Sequence, residues 1–198
     1  MNLKIAMRLD KEKIENETPG EGFFAQPMAE SKFKWHFTLR GVEGTCYEGG
    51  LFHGLLDLGE KYPLEPPNIY FLNESGRYSV NTKICLNITS YHKESWSPIW
   101  NVRKMMEALC AYFVCDEGGI GSLKESDAIR KKLSKSSRDF VCSHCGPILH
   151  IDKLIKEGKP VKGEKQELKE EKVEKETGKK EKLEVEVPQV KGKRVKHK

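Results

Sequence analysis

An α+β fold is predicted: a four-stranded antiparallel meander with a helix before it and helices behind it. Three observations predict it. Four short strand-type segments follow one another through short turns, a charged segment with apolar punctuation precedes them, and an apolar stripe at helical spacing follows.

The first helix is expected over residues 3–16, where Leu3, Ile5, Met7, Leu9 and Ile14 stand among alternating charges, and Thr18-Pro19-Gly20 ends it. Strands are expected over 22–26, 33–40, 50–56 and 68–72. In the second, Phe33, Trp35, Phe37 and Leu39 alternate with Lys34, His36, Thr38 and Arg40. That period of two predicts one buried face and one solvated face. The turns come from 41–44 and from Glu48-Gly49-Gly50. Tyr62-Pro63-Leu64-Glu65-Pro66-Pro67 then removes backbone donors and forces extended or turn geometry. Residues 73–100 read as one long irregular stretch, a feature that inside a compact domain usually carries function.

Asn101 is a good N-cap for the next helix. Val102, Met105, Met106, Leu109, Cys110 and Phe113 follow the i, i+3, i+4, i+7 spacing of a core-facing stripe. Residues 116–121 break it, and a further helix over about 124–140 is expected to turn Ile129 and Leu133 inward. Beyond residue 159 the chain is rich in Lys and Glu, with too little apolar area to offset ordering entropy. The division is therefore a folded domain over 1–150 and a charged, disordered tail over 151–198.

Charge supports the division. Residues 151–198 hold 16 Lys/Arg against 11 Asp/Glu, which is the whole chain's excess of +5, and residues 1–150 balance at 19 of each. All 17 aromatic residues precede Lys153. The folded part is near neutral, so basicity gives it no nucleic-acid face. Nucleic-acid modules that read bases on strands interleave aromatics with positive charges, whereas here the two are segregated. The start, Met1-Asn2-Leu3-Lys4, lacks the apolar core of a secretory signal, and no run of 18 apolar residues exists. The six cysteines are accordingly expected as thiols in a cytoplasmic setting.

Cys85, in Lys83-Ile84-Cys85-Leu86-Asn87-Ile88, is the candidate nucleophile, and a buried structural thiol is the competing reading. Cys110 and Cys115 lie on or just past the helix stripe and read as core, and Cys46 stands in a turn. Cys142-Ser143-His144-Cys145 is a lone CxxC, whereas structural zinc wants four ligands, and His150 is poorly spaced to add one. A helix-end packing role or a redox-labile pair is expected there, and no metal. His92, seven residues after Cys85, is either a loop histidine capping backbone groups or a partner of the thiol. Thiol proteases place their histidine much further along the chain.

Tyr62-Pro63-x-x-Pro66-Pro67, then Ile84-Cys85-Leu86, then Trp96-Ser97-Pro98 and an amphipathic helix together resemble the core of ubiquitin-conjugating enzymes. Gln26-Pro27, Trp35-His36-Phe37-Thr38, Gly76-Arg77-Tyr78, Ser90-x-His92, Trp96-x-Pro98-x-Trp100 and Ile120-Gly121-Ser122-Leu123 resemble the endoplasmic-reticulum-associated branch of that family, which lacks a His-Pro-Asn motif. The match covers residues 3–150, and its order and spacing agree at several independent places.

The resemblance implies the ubiquitin-conjugating fold and a thioester of ubiquitin on Cys85. It is received from the ubiquitin-activating enzyme and passed to substrate lysine, or to a hydroxyl, with a RING-type ligase. Protein quality control and degradation are the implied setting, at the cytosolic face of the endoplasmic reticulum. The first helix, Leu64, Ser97, Pro98 and Ile99 are the implied docking surface for activating enzyme and ligase. No cofactor is expected, because ATP is used by the activating enzyme and this chain has no phosphate-cradling glycine loop.

The chain departs from the family in two places. Where the branch has asparagine before Gly-Arg-aromatic, this chain has Ser75, so Ser75 and Asn81 are alternative oxyanion donors. Losing one such donor costs about 3–4 kcal/mol of barrier. The acidic residue that often orients the incoming lysine has no counterpart; Asn87 is neutral, Ser122 occupies the gate region, and His92 is the candidate base, imidazole being suited to neutral pH. Members of the branch generally end in a membrane anchor, and this sequence ends in the charged run 191–198. Membrane association would then come through a missing anchor or through the basic tail, at about 1 kcal/mol per positive residue near an anionic surface. The competing function is a catalytically weak or inactive ubiquitin-conjugating-like module that only binds.

Overall fold

Asn2 starts helix α1 (Leu3–Asn16) by accepting the Lys4 amide on its side chain. The computed structural model describes residues 2–161. The expected disorder of the tail from 162 and its basic end lie outside the described residues. Strands β1 (Phe23–Met28), β2 (Ser31–Arg40), β3 (Leu51–Asp57) and β4 (Asn68–Phe71) pair in sequence order as an antiparallel sheet. Helix α2 (Val102–Val114) begins where Asn101 accepts the Lys104 amide, as its position predicts. The helix lays Val102, Met105, Met106, Leu109 and Phe113 against Trp35, Phe37, Leu39, Phe52, Leu56, Ile69 and Phe71 of the sheet. Such a core supplies most of the stability through burial of apolar surface. The predicted α+β class and meander are what the structure has.

The outer face of the sheet differs from expectation. His36 and Thr38 were placed on a solvated face, yet they are only 5% and 1% exposed, and His53 of β3 is 1% exposed. The C-terminal segment covers them. After α3 (Asp127–Ser136) and a single 3-10 turn, the chain forms a short hairpin, β5 (Val141–Cys142) and β6 (Gly146–Pro147), followed by α4 (Leu149–Glu157). Ile148, Ile151, Ile155 and Cys142 form a second apolar cluster with Phe24 and Leu51 from the outer face. Asp152 of α4 pairs with Arg40, Arg138 and Lys156. Burial raises its carboxyl, but Lys156 and Arg138 outweigh that and hold it below the ordinary carboxylate range. Burial, with His36 alongside, pushes the His53 imidazole down to about 3.

Two further expectations are corrected. The folded unit runs to Val161, whose amide donates to Glu17, so the boundary expected at residue 150 cuts through α4. Composition misplaced it because α4 buries only Ile151 and Ile155 of its apolar residues, among charged neighbours. Helix α3 is shorter than 124–140 and turns Arg130 and Ser134 inward, while Ile129 is 43% exposed. Arg130 is satisfied there by Asp116 and the Gly76 carbonyl, and Ser134 by the Cys46 and Arg130 carbonyls. Buried polar groups with such partners carry little penalty.

Candidate active site

Cys85 is held from both sides by backbone. The Ile84 amide donates to the Ile69 carbonyl of the neighbouring strand, and Lys83 bridges to Tyr70. The Cys85 amide donates to the Ile120 carbonyl at 2.9 Å, which lays the loop 117–123 beside it. Ile84 and Ile88 are buried anchors, and Thr89 closes the turn between them by bonding the Leu86 amide and carbonyl. Between those anchors the Cys85 thiol is half-buried, neither sealed in hydrocarbon nor fully solvated. A Cβ on Gly119 would sit 3.2 Å from the Cys85 carbonyl oxygen and 3.6 Å from its Cβ, so the loop backbone passes close beside Cys85.

His92 reaches the sulfur. Its Nε2 lies 3.2 Å from Cys85 Sγ, and its Nδ1 lies 3.1 Å from the Glu94 carboxylate. A carboxylate accepts only, so Nδ1 is the donor to Glu94, and in the neutral imidazole Nε2 is then the acceptor facing the thiol. The Glu94 carboxyl is held low by its own backbone amide and then by His92. The other thiols differ. Cys110 packs against the core, and burial, then Glu107, pushes its thiol up to about 12. Apart from Cys142 and Cys145, Cys85 is the only cysteine among the described residues with an imidazole at hydrogen-bond distance.

The remaining candidates separate. Ser75 is fully buried, and its hydroxyl accepts the amides of Arg77 and Tyr78. It fastens a turn inside the protein and exposes no surface to an incoming group, which corrects its reading as an oxyanion donor. Asn81 is exposed at a turn with φ 56°, and its side-chain amide makes no hydrogen bond among the described residues. Asn87 is exposed, with its carbonyl accepting from Ser95. The Ser122 hydroxyl donates to the Gly119 carbonyl and accepts its amide, bracing the loop against Cys85.

The expected docking residues share one network. Leu64 and Ile99 are 74% and 70% exposed, Pro98 is exposed and Ser97 half-buried. The Trp96 indole donates to the Pro63 carbonyl at 2.9 Å and ties the two loops together. Beneath them, Tyr62 donates to the buried Glu12 carboxylate, which also accepts from Arg8 and from the Val102 amide. Arg8 reaches the Trp100 carbonyl at 2.6 Å. Burial, then Glu12, pushes the Tyr62 phenol up, so it stays a donor. Sequence reasoning missed Glu12 and Arg8, because charges on an amphipathic helix read as solvated.

The sequence model of the ubiquitin-conjugating enzymes matches residues 8–132. The chain belongs to that family. Among curated relatives of this ubiquitin-conjugating enzyme family member, human ubiquitin-conjugating enzyme E2 J1 is 39% identical over 173 residues, covering 85% of this chain and 54% of that protein. Arabidopsis thaliana ubiquitin-conjugating enzyme E2 32 is 38% identical over 139 residues, covering 70% and 45%. The chain thus spans about half the length of the curated relatives it matches. Human ubiquitin-conjugating enzyme E2 G1 superposes with a TM-score of 0.50 at 27% identity, over 57% of this chain and 97% of that one. No helix among the described residues is long and apolar enough to cross a membrane.

The CxxC is not isolated in space. Cys142 and Cys145 meet His36 and His53, a set whose donor atoms all lie within 4.8 Å of one another. His150 instead lies against the Pro147 carbonyl, away from that set.

Proposed function

We propose that this ubiquitin-conjugating enzyme carries ubiquitin as a thioester on Cys85. It receives the acyl group from the ubiquitin-activating enzyme and delivers it to a lysine amine, or a hydroxyl, with a RING-type ligase. The observation that carries this reading is a half-buried Cys85 thiol facing the His92 Nε2 at 3.2 Å.

In the first step the Cys85 proton passes to His92, and the sulfur attacks the carbonyl carbon of the incoming thioester. A tetrahedral intermediate forms and collapses by expelling the activating enzyme's thiolate, which takes the proton back from His92 and leaves the imidazole neutral for the next step. Glu94 holds the imidazole in the tautomer that accepts, a role that needs no proton transfer to the carboxylate. In the second step a substrate nitrogen attacks the Cys85 thioester, loses a proton and expels the Cys85 thiolate, with His92 the base. Asn81 is the remaining candidate donor to the oxyanion, its amide being uncommitted. Asn87 and Ser122 border the site as positioning groups.

The exposed Leu64, Pro98 and Ile99, held by the Tyr62 and Trp96 network, support docking of the activating enzyme and ligase on one face. Short apolar groups within a polar rim suit such an interface. The transfer itself calls for no cofactor, ATP being consumed by the activating enzyme. A role in protein quality control at the cytosolic face of the endoplasmic reticulum rests on the likeness of the motifs to that branch.

Incubation with activating enzyme, ubiquitin and ATP, followed by gels with and without reductant, tests the proposal. A band that reductant removes and that Cys85→Ala lacks is expected; its absence leaves only a binding role.

A further inference from the structure

The outer face of the sheet holds a second constellation, remote from the chemistry assigned above. His53 stands opposite Thr38 in the β2–β3 register, and so diagonal to His36 on the same face. The hairpin of β5 and β6 brings Cys142 and Cys145 over that face; Gly146 follows the second cysteine with φ 72°, a conformation that lets the chain turn sharply there.

Four donor atoms converge. His36 Nδ1 lies 3.1 Å from His53 Nε2, 3.4 Å from Cys142 Sγ and 3.3 Å from Cys145 Sγ. One ring nitrogen has a single proton or a single lone pair, so hydrogen bonding cannot satisfy three such neighbours. A tetrahedral zinc ion, with bonds of about 2.0 Å to nitrogen and about 2.3 Å to sulfur, sets neighbouring donors about 3.3–3.8 Å apart. The two distances from His36 to sulfur fall in that range, the His36–His53 distance is slightly shorter, and all four donors lie within 4.8 Å of one another. The other ring nitrogen of His53, Nδ1, is 2.9 Å from Thr38 Oγ1, and by donating there it leaves Nε2 its lone pair.

We propose that His36, His53, Cys142 and Cys145 form a structural zinc site that fastens the C-terminal segment to the outer face of the sheet. On binding, the two thiols release their protons to solvent, and two thiolates neutralise the dication, so no net charge is buried. With four protein ligands the ion has no open position, which makes it structural and keeps it out of the transfer chemistry. The ion would join β2, β3 and the 141–146 hairpin, segments far apart in sequence, and hold α4 over Phe24 and Leu51.

The test uses the untagged full chain purified without chelator and dialysed against metal-free buffer. Elemental analysis by mass spectrometry is expected to find about one zinc per chain, and about one still in Cys85→Ala. Cys142→Ser/Cys145→Ser and His53→Ala are expected to lose most of it. Because these variants remove groups that pack against the sheet, a second measurement uses the parent chain. Exchange of zinc for cobalt(II) should give the strong visible bands of a tetrahedral ion together with thiolate-to-cobalt charge transfer. Folded parent protein that holds no zinc and gives no such bands would overturn the site. A Cys142–Cys145 disulfide in peptides from freshly lysed cells would overturn it equally, in favour of a redox pair.

Discussion

His92 and Ser75 show how far single residues could be read. His92 was legible as a partner of Cys85 because seven residues of one loop separate them, and the structure closes that loop to 3.2 Å. If His92 takes the proton of the attacking amine, His92→Ala should slow single-turnover discharge of the thioester to free amine by about 10²-fold at neutral pH. Discharge at the parent rate would remove His92 from the mechanism. Ser75 was misread, because a sequence does not say which side of a loop faces the core. Its hydroxyl accepts two backbone amides in a fully buried turn. Ser75→Ala should therefore cost about 1–3 kcal/mol in urea unfolding, with the discharge rate of the folded protein unchanged. Slower discharge at unchanged stability would restore Ser75 as an oxyanion donor.

At the scale of elements, periodicity located strands and helices well and their surroundings less well. The alternation in β2 correctly sent Trp35, Phe37 and Leu39 inward. It could not show that the opposite face, with His36 and Thr38, is covered by a segment some hundred residues later, since the strand pattern does not say where the apolar residues of that later segment pack. In α3 the inward positions belong to Arg130 and Ser134, whose partners lie on other elements, so no apolar stripe betrays them. The joint between α1, the proline loop and the start of α2 is likewise built from polar groups. Tyr62→Phe takes from the buried Glu12 carboxylate a donor at 2.8 Å, and frees the Trp100 carbonyl of its second partner. A loss of about 1–3 kcal/mol is expected in the urea midpoint with the slope unchanged. An unchanged midpoint would mean that water replaces the phenol without penalty.

At the largest scale, the sheet is the middle layer of the described residues. Helix α2 and the larger core lie on one side, and the C-terminal hairpin and α4 lie on the other. The first half of that arrangement follows from local pattern and could be read ahead of any structure. The second brings Ile148, Ile151, Ile155 and Cys142 against Phe24 and Leu51, residues of segments far apart in sequence that converge only in three dimensions. Cys85 belongs to neither apolar cluster and stays half-buried, as the proposed transfer requires of its thiol. The most direct measurement is the intact mass of the full chain after incubation with activating enzyme, ubiquitin and ATP. Mass should rise by one ubiquitin less one water, return to the starting value on adding free thiol, and not rise in Cys85→Ala. No shift in the parent protein, or a thiol-labile shift of the same size in Cys85→Ala, would contradict transfer through this sulfur.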